Sequence, residues 1–308
     1  VNRRKNPLPS VKQQYINELN AIANRYGDLE DVTIKKMLSM VKELRTQIAG
    51  EIVNVEGWED YRRRQLDANL QRLIDEFKRK LGQEVTQAVQ STVEYGGQSV
   101  VQPMIAAGIE SAFFQPNQAL LNTLLDFSAK LVQDIGDSTL QALDQQVRLA
   151  ALGQKSPTQA MQDITTALGV EAKAGIWKRR HDPVKGIAAR AETILRTEMQ
   201  RAFNLSTFAQ QQDSAARIPG LTKSWVATGD TRTRVSHLRA HMRYKANPIP
   251  IDEPFEVGGA KLMYPGDPAG PPEETINCRC RSVTHHPAIG RVGSNLDGRI
   301  AQQLQARA

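Results

Sequence analysis

The sequence predicts an α+β protein in which a long N-terminal helical region precedes a small C-terminal domain of mixed helix and short strands. From Val11 to about Leu152 apolar residues recur at three- and four-residue steps, Pro is nearly absent, and Gln, Glu, Lys, Arg, Leu and Ala dominate, which is the pattern of amphipathic helices. From Ile218 the texture changes. Pro219-Gly220, the alternating LTKSWVAT and a Pro- and Gly-rich run from Asn247 to Pro272 read as short strands joined by ordered loops. A chain of 308 residues also exceeds the usual size of one domain.

Taken in order, the helical region shows its stripe best in DYRRRQLDANLQRLIDEFKRKL, Asp60 to Leu81, where Leu66, Leu70, Leu73, Phe77 and Leu81 share one face and require a partner helix. Breaks are predicted at Gly27-Asp28, at Gly57, around Tyr95-Gly96-Gly97 and at Gln115-Pro116-Asn117, after which Asn117 caps a helix from Gln118 to Leu152. Val100 to Phe114 is apolar and rich in small residues, as a buried central helix or a contact surface for another subunit would be, and burial is favoured because exposed patches of that kind are uncommon. Ser156-Pro157 opens a short helix that Gly169 ends. The connector WKRRHDPVK, Trp177 to Lys185, is basic, and helical spacing resumes from Gly186 to Ala215. The expected organisation is a helical docking or oligomerisation region over 1–155, a basic connector over 156–185, a compact domain over 186–290 and a polar tail over 291–308, frayed or disordered.

No stretch approaches the roughly 20 apolar residues that cross a bilayer, and VNRRKNPLPS lacks the apolar run of a signal peptide, so the expectation is a cytoplasmic chain without a membrane anchor. Two cysteines cannot build a secreted disulfide framework. The formal charge is +7, and Glu171 to Lys245 alone holds fifteen Lys and Arg against six Asp and Glu, a surplus of nine. Basicity concentrated in this way suits nucleic acid or an acidic protein surface, with Lys178, Arg179, Arg180 and Lys185 as the contact residues.

His237 and His241 in SHLRAH stand four apart, so on a helix both imidazoles share a face, as in zinc sites. Cys278 and Cys280 would complete a four-ligand set. Against this, residues two apart on a flat strand lie about 7 Å apart, too far for both sulfurs to reach one ion. Spacing therefore leaves two alternatives open, a metal site and buried thiols beside ordinary histidines. His285 and His286 would point to opposite faces of a strand and make a poor ligand pair, so solvent-facing positions are expected. The HxxxH segment lacks the Glu of metalloproteases, and a metal-dependent nuclease would have Asp230 as its nearest carboxylate in sequence. Glu198 can pair with Arg201 along a helix, which commonly gives a solvated ladder, and Asp230 with Arg232 and Arg234 can buttress a loop. Neither a GxSxG elbow nor a Gly-rich phosphate cradle stands out.

Five short motifs, in order, are ILRTEMQRAFN, a Trp, then after three intervening residues GDTRTRVSH, the loop PFEVGGAKLMYPGDP, and finally TINCRC. Together, over Ala188 to about Val283, they resemble the head morphogenesis domain of the phage Mu F family. The resemblance singles out Arg196, Thr197, Glu198, Arg201, Asn204, Trp225, Asp230, Arg232, Arg234 and Asn277 as its motif residues. It implies a non-enzymatic minor capsid protein of a tailed bacteriophage, present in the virion at the portal vertex and head interior and in the host cytoplasm during assembly. Its implied partners are portal protein, major capsid or scaffolding protein, and double-stranded DNA. Other readings are a metal-dependent, nuclease-like enzyme and a DNA-binding internal protein ejected with the genome. Many relatives carry CxxC where this chain has Arg234-Val-Ser-His237, paired with the later NCRC in what resembles a zinc knuckle. The resemblance thus implies one structural zinc on His237, His241, Cys278 and Cys280: Arg234 cannot be a ligand, so a four-ligand site must recruit His241 or be abandoned.

Overall fold

The computed structural model describes residues 9–53, 60–109, 111, 118–151, 159, 162–163, 187–289 and 297–307. The expected breaks at Gly57 and Gln115-Pro116-Asn117, nearly all of the short helix after Ser156, and the basic connector with Lys178, Arg179, Arg180 and Lys185 lie outside the described residues.

Four long helices carry most of the chain: α1 (Val11–Val53), α2 (Asp60–Ala106), α3 (Gln118–Ala151) and α4 (Ile187–Ala215). Ser10 caps the first, its Oγ accepting the Gln13 N–H at 3.2 Å. Two expected breaks are absent. Gly27-Asp28 lies inside α1, where one glycine costs only about 1 kcal/mol against alanine and its neighbours continue the stripe. Tyr95-Gly96-Gly97 lies inside α2, and Gly96 serves packing instead: a Cβ there would sit 2.3 Å from the Phe203 carbonyl oxygen of α4. The contact is sealed by polar groups, with Ser206 Oγ donating to Val93 O at 2.6 Å and Thr207 Oγ1 to Gly96 O at 3.0 Å. The apolar stretch after Val100 is buried through Val101 and Met104, although α2 ends at Ala106.

After α4 come β1 (Thr222–Val226), α5 (Val235–Ala246), β2 (Ile249–Pro250), β3 (Phe255–Val257), β4 (Ala260–Leu262), the one-turn α6 (Pro272–Thr275), β5 (Arg281–His285), a 3-10 turn (Pro287–Ile289) and α7 (Asp297–Gln305). One sheet has the antiparallel order β2-β1-β5, with Thr222 opposite His285 and Val226 opposite Arg281. The other is the hairpin β3-β4, turned by Gly258 and Gly259 with φ of 60° and 86°, the left-handed pair that a two-residue hairpin loop requires.

The chain divides into two compact units that do not follow chain order. One comprises Val1–Leu29, Val89–Asn122 and Thr197–Ala308, the other Glu30–Ala88 and Thr123–Arg196. In the second unit α1 and α2 run antiparallel, as Lys36 with Glu84 and Lys80 with Glu43 record. The stripe of Leu66, Leu70, Leu73, Phe77 and Leu81 is buried, as are Met37, Val41 and Ile48 of α1. The first unit has two adjoining apolar clusters, one around Trp225, Leu238, Phe255 and Leu262, the other around Tyr15, Met104, Phe208 and Tyr264. Lys223 of β1 lies between rings of both: its buried Nζ is 4.7 Å from the Phe208 ring centroid and 4.9 Å from that of Phe255, and it donates to Met263 O at 2.8 Å. Burial pulls its pKa down to about 8. The C-terminal segment is more ordered than its polar composition suggests. Ile300 of α7 is fully buried in the Trp225 cluster, and Arg307 donates to the Thr233 carbonyl at 2.7 Å.

Candidate metal centre

His237 stands in the first turn of α5, which packs against β1, and Trp225 of β1 meets its imidazole edge-on at 5.2 Å between centroids. The cysteines arrive from the other side. After α6 the chain turns, the Cys278 N–H reaching back to Thr275 O at 3.3 Å, and Asn277 adopts φ 55°, a left-handed conformation that Asn tolerates better than most residues. Cys278 therefore lies ahead of β5, which begins only at Arg281. The strand geometry that would separate the two sulfurs does not apply. The ligand atoms of His237, Cys278 and Cys280, all three buried, lie within 4.8 Å of one another. His237 Nδ1 is 3.2 Å from the Cys280 sulfur and 3.7 Å from the Cys278 sulfur.

These separations can be tested against a metal. With ordinary Zn–S and Zn–N bond lengths, tetrahedral zinc sets an S···N edge of about 3.5 Å, and the two observed values bracket it. Two soft thiolates and an imidazole are also the donor chemistry zinc takes. The residues present fit the ion and could bind it.

The electrostatics divide the two thiols. The Cys278 thiol is held well below its usual value, first by its hydrogen bond with Cys280, against burial, and next by His237. Cys280 is pushed well above by burial and by the adjacent Cys278. Burial works against a charged His237, yet hydrogen bonds with Cys278 and Glu274 raise its pKa. The Trp225 indole N–H, buried and without a hydrogen-bond partner of normal geometry among the described residues, acts on the Cys280 sulfur and favours its charged form.

His241 is on the same helix but not in the cluster. Its Nδ1 accepts the Ala227 N–H at 3.2 Å, its Nε2 faces Asp297 at 3.2 Å, and burial with the nearby Lys245 takes its pKa down to about 4. Both nitrogens are thus engaged elsewhere, which leaves three protein ligands. Asp230 is not in the cluster either. Its carboxylate accepts from the Arg232 backbone, Thr233 Oγ1 and Arg279, while Arg234 donates to Ile276 O at 2.6 Å. Burial raises the Asp230 pKa, but Arg279 and its other donors outweigh that and the net shift is downward. The loop buttress foreseen for Asp230 with Arg232 and Arg234 is made by Arg232 and Arg279 instead, since Arg234 turns to Ile276 O.

The remaining motif residues form a frame around the cysteine segment. Arg201 Nη1 donates to both carboxylate oxygens of Glu198 at 2.8 Å, largely buried rather than in a solvated ladder, and Arg201 Nε continues to Gly266 O at 3.3 Å. Thr197 Oγ1 accepts the Asn277 N–H at 3.0 Å. Asn204, fully buried, donates to Cys280 O at 2.9 Å and accepts from the Ser282 N–H. Arg196 instead turns to Glu192 and Glu30. His285 is buried, not solvent-facing, because its strand has α4 and Tyr15 at its edge, and burial takes its pKa down to about 4.

Sequence reasoning missed Gln200, which donates to Cys280 O at 3.0 Å, Gln211, which donates to Ser282 and Thr284 of β5, and Glu274, which holds His237. For the glutamines a signal existed. Thr197, Gln200, Asn204 and Gln211 fall on one face of α4, which marks a helix stripe that buries polar groups against backbone.

Residues 157–283 match the family model described as Phage Mu protein F like protein. The match contains the whole histidine and cysteine cluster, and this segment belongs to the phage Mu F-like family. The match supports a phage head morphogenesis protein, as a likeness of residues 157–283 rather than of the whole chain. Neither the comparison with curated proteins nor that with solved structures gave a match. Among the described residues no helix is long and apolar enough to cross a membrane.

Proposed function

We propose that this chain is a non-enzymatic minor capsid protein that joins portal and capsid components during head assembly, with a C-terminal domain stapled by one zinc on His237, Cys278 and Cys280. The observation that carries the reading is where the motif residues spend their polar groups. Thr197, Glu198, Arg201, Asn204, Asp230 and Arg234 all bond to the chain's own backbone or side chains. A motif consumed in holding one segment in place suits a scaffold whose surface does the work. Zinc would connect α5 to the segment before β5 and add the stability that a small sheet lacks.

The described part of the basic region favours protein partners over DNA. Arg196, Arg201, Arg217, Arg232, Arg243 and Lys245 are each paired with a carboxylate, and Lys223 is buried. DNA contact would then fall to Lys178, Arg179, Arg180 and Lys185, with an affinity that drops steeply as salt rises. The deciding experiment is a pull-down of purified portal protein, with elemental mass spectrometry of the same sample. Failure to associate with portal or capsid sinks the assembly role. Turnover of a nucleic acid that is lost in His237→Ala while the fold is kept would establish the enzyme reading in its place.

A further inference from the structure

Among the described residues, the carboxylate bonded to the histidine of the centre has no part in the ligand set. His237 Nε2 lies 2.8 Å from Glu274 Oε2, and Ser236 Oγ donates to the same oxygen at 2.8 Å. The other oxygen of Glu274 is held by shape. A Cβ on Gly258 would fall 2.1 Å from Oε1 and 2.6 Å from Cδ, so the carboxylate lies directly on the turn of the β3-β4 hairpin. At the neighbouring Gly259, also at positive φ, a Cβ would meet nothing within 4 Å. Glu273, one residue earlier, is exposed.

A neutral imidazole carries one proton. If a carboxylate accepts the N–H of Nε2, Nδ1 is left with a bare lone pair, and Nδ1 is the atom that faces both sulfurs. We propose that Glu274 is the positioning carboxylate of this centre, fixing the tautomer and orientation of His237, and that the close approach of Gly258 in turn fixes Glu274. This rests on the metal-stapled reading above for its effect on zinc, but not for its effect on the ring. Glu274 stands four residues before Cys278 on one short segment, so a single docking event brings in both thiolates and the group that orients the third ligand.

The test uses the full chain. Zinc affinity is measured by competition with a chromophoric chelator for wild type, Glu274→Gln, Gly258→Ala, Gly259→Ala and Glu273→Gln, and the His237 ring is followed by imidazole nitrogen NMR without metal. Glu274→Gln should weaken zinc by about 10- to 100-fold, the usual cost of losing such a partner. Gly258→Ala should weaken it in the same direction, because its methyl displaces the carboxylate. Gly259→Ala incurs similar backbone strain without touching Glu274 and should match wild type, as should Glu273→Gln. Equal zinc affinity in Glu274→Gln and wild type overturns the proposal while leaving the metal intact. A wild-type chain that takes up no zinc ends the metal reading, and the NMR then decides the orienting role alone. A protonated Nε2 that is lost or redistributed in Glu274→Gln upholds that role, and unchanged ring shifts overturn it.

Discussion

The unit of Glu30–Ala88 and Thr123–Arg196 and the domain that follows Thr197 are stabilised by different means. In the first, apolar stripes on long helices meet, and the polar pairs, such as Lys36 with Glu84, lie at the surface. In the second, two apolar clusters are joined by polar groups that are themselves buried. Buried amides, the Glu198–Arg201 ion pair and a cluster of two thiols and an imidazole do what the stripe does elsewhere. The difference teaches that periodic burial tolerates local variation, whereas a polar frame depends on each partner.

The largest effect that can break this comparison is in the cores, where both regions should respond alike. Trp225→Ala and Phe77→Ala should each cost about 3–5 kcal/mol in urea unfolding. Only Trp225→Ala should also disturb zinc uptake, because its ring lies against His237.

Acid should then separate the regions. His241 and His285 are buried neutral with pKa values of about 4, while in the unfolded chain each titrates near the ordinary value of 6.5. The unfolded state therefore binds protons first, and stability falls as pH drops from about 6.5 to about 4, by up to about 3 kcal/mol per histidine, then levels off. The described residues of the helical unit contain no histidine, so hydrogen exchange at low pH should open the C-terminal domain first. Equal acid sensitivity in both regions would contradict this.

A smaller effect sharpens the point about polar frames. Asn204→Leu removes a donor to Cys280 O and an acceptor for the Ser282 N–H, both buried, and should cost about 2–3 kcal/mol by thermal melting. Smallest is Lys36→Ala at the half-exposed pair with Glu84, expected to cost under about 1 kcal/mol. If the two values were equal, burial of the polar groups would not be what matters.

The helical region was legible because a stripe such as Leu66, Leu70, Leu73, Phe77 and Leu81 repeats in sequence what it does in space. Where a glycine reads as a break, tertiary contact overrides the local signal: Gly96 is small because Phe203 needs its space, and nothing within α2 announces Phe203. At the metal centre, residue type pointed to His237, Cys278 and Cys280. Spacing alone suggested His241 equally well, since two histidines four apart share a face wherever the helix turns that face.

The sequence by itself determined the helical stripes, the change to short strands after Ile218, and the family motifs, because each is a pattern within a few turns of chain. Only the tertiary structure decided that His237 rather than His241 joins the thiols, that Asn204 and Gln200 hold the Cys280 carbonyl, and that Glu274 reaches the imidazole. Those choices depend on which way α5 faces β1 and where the chain turns before β5. Packing between segments dozens of residues apart sets both, and no local periodicity encodes it.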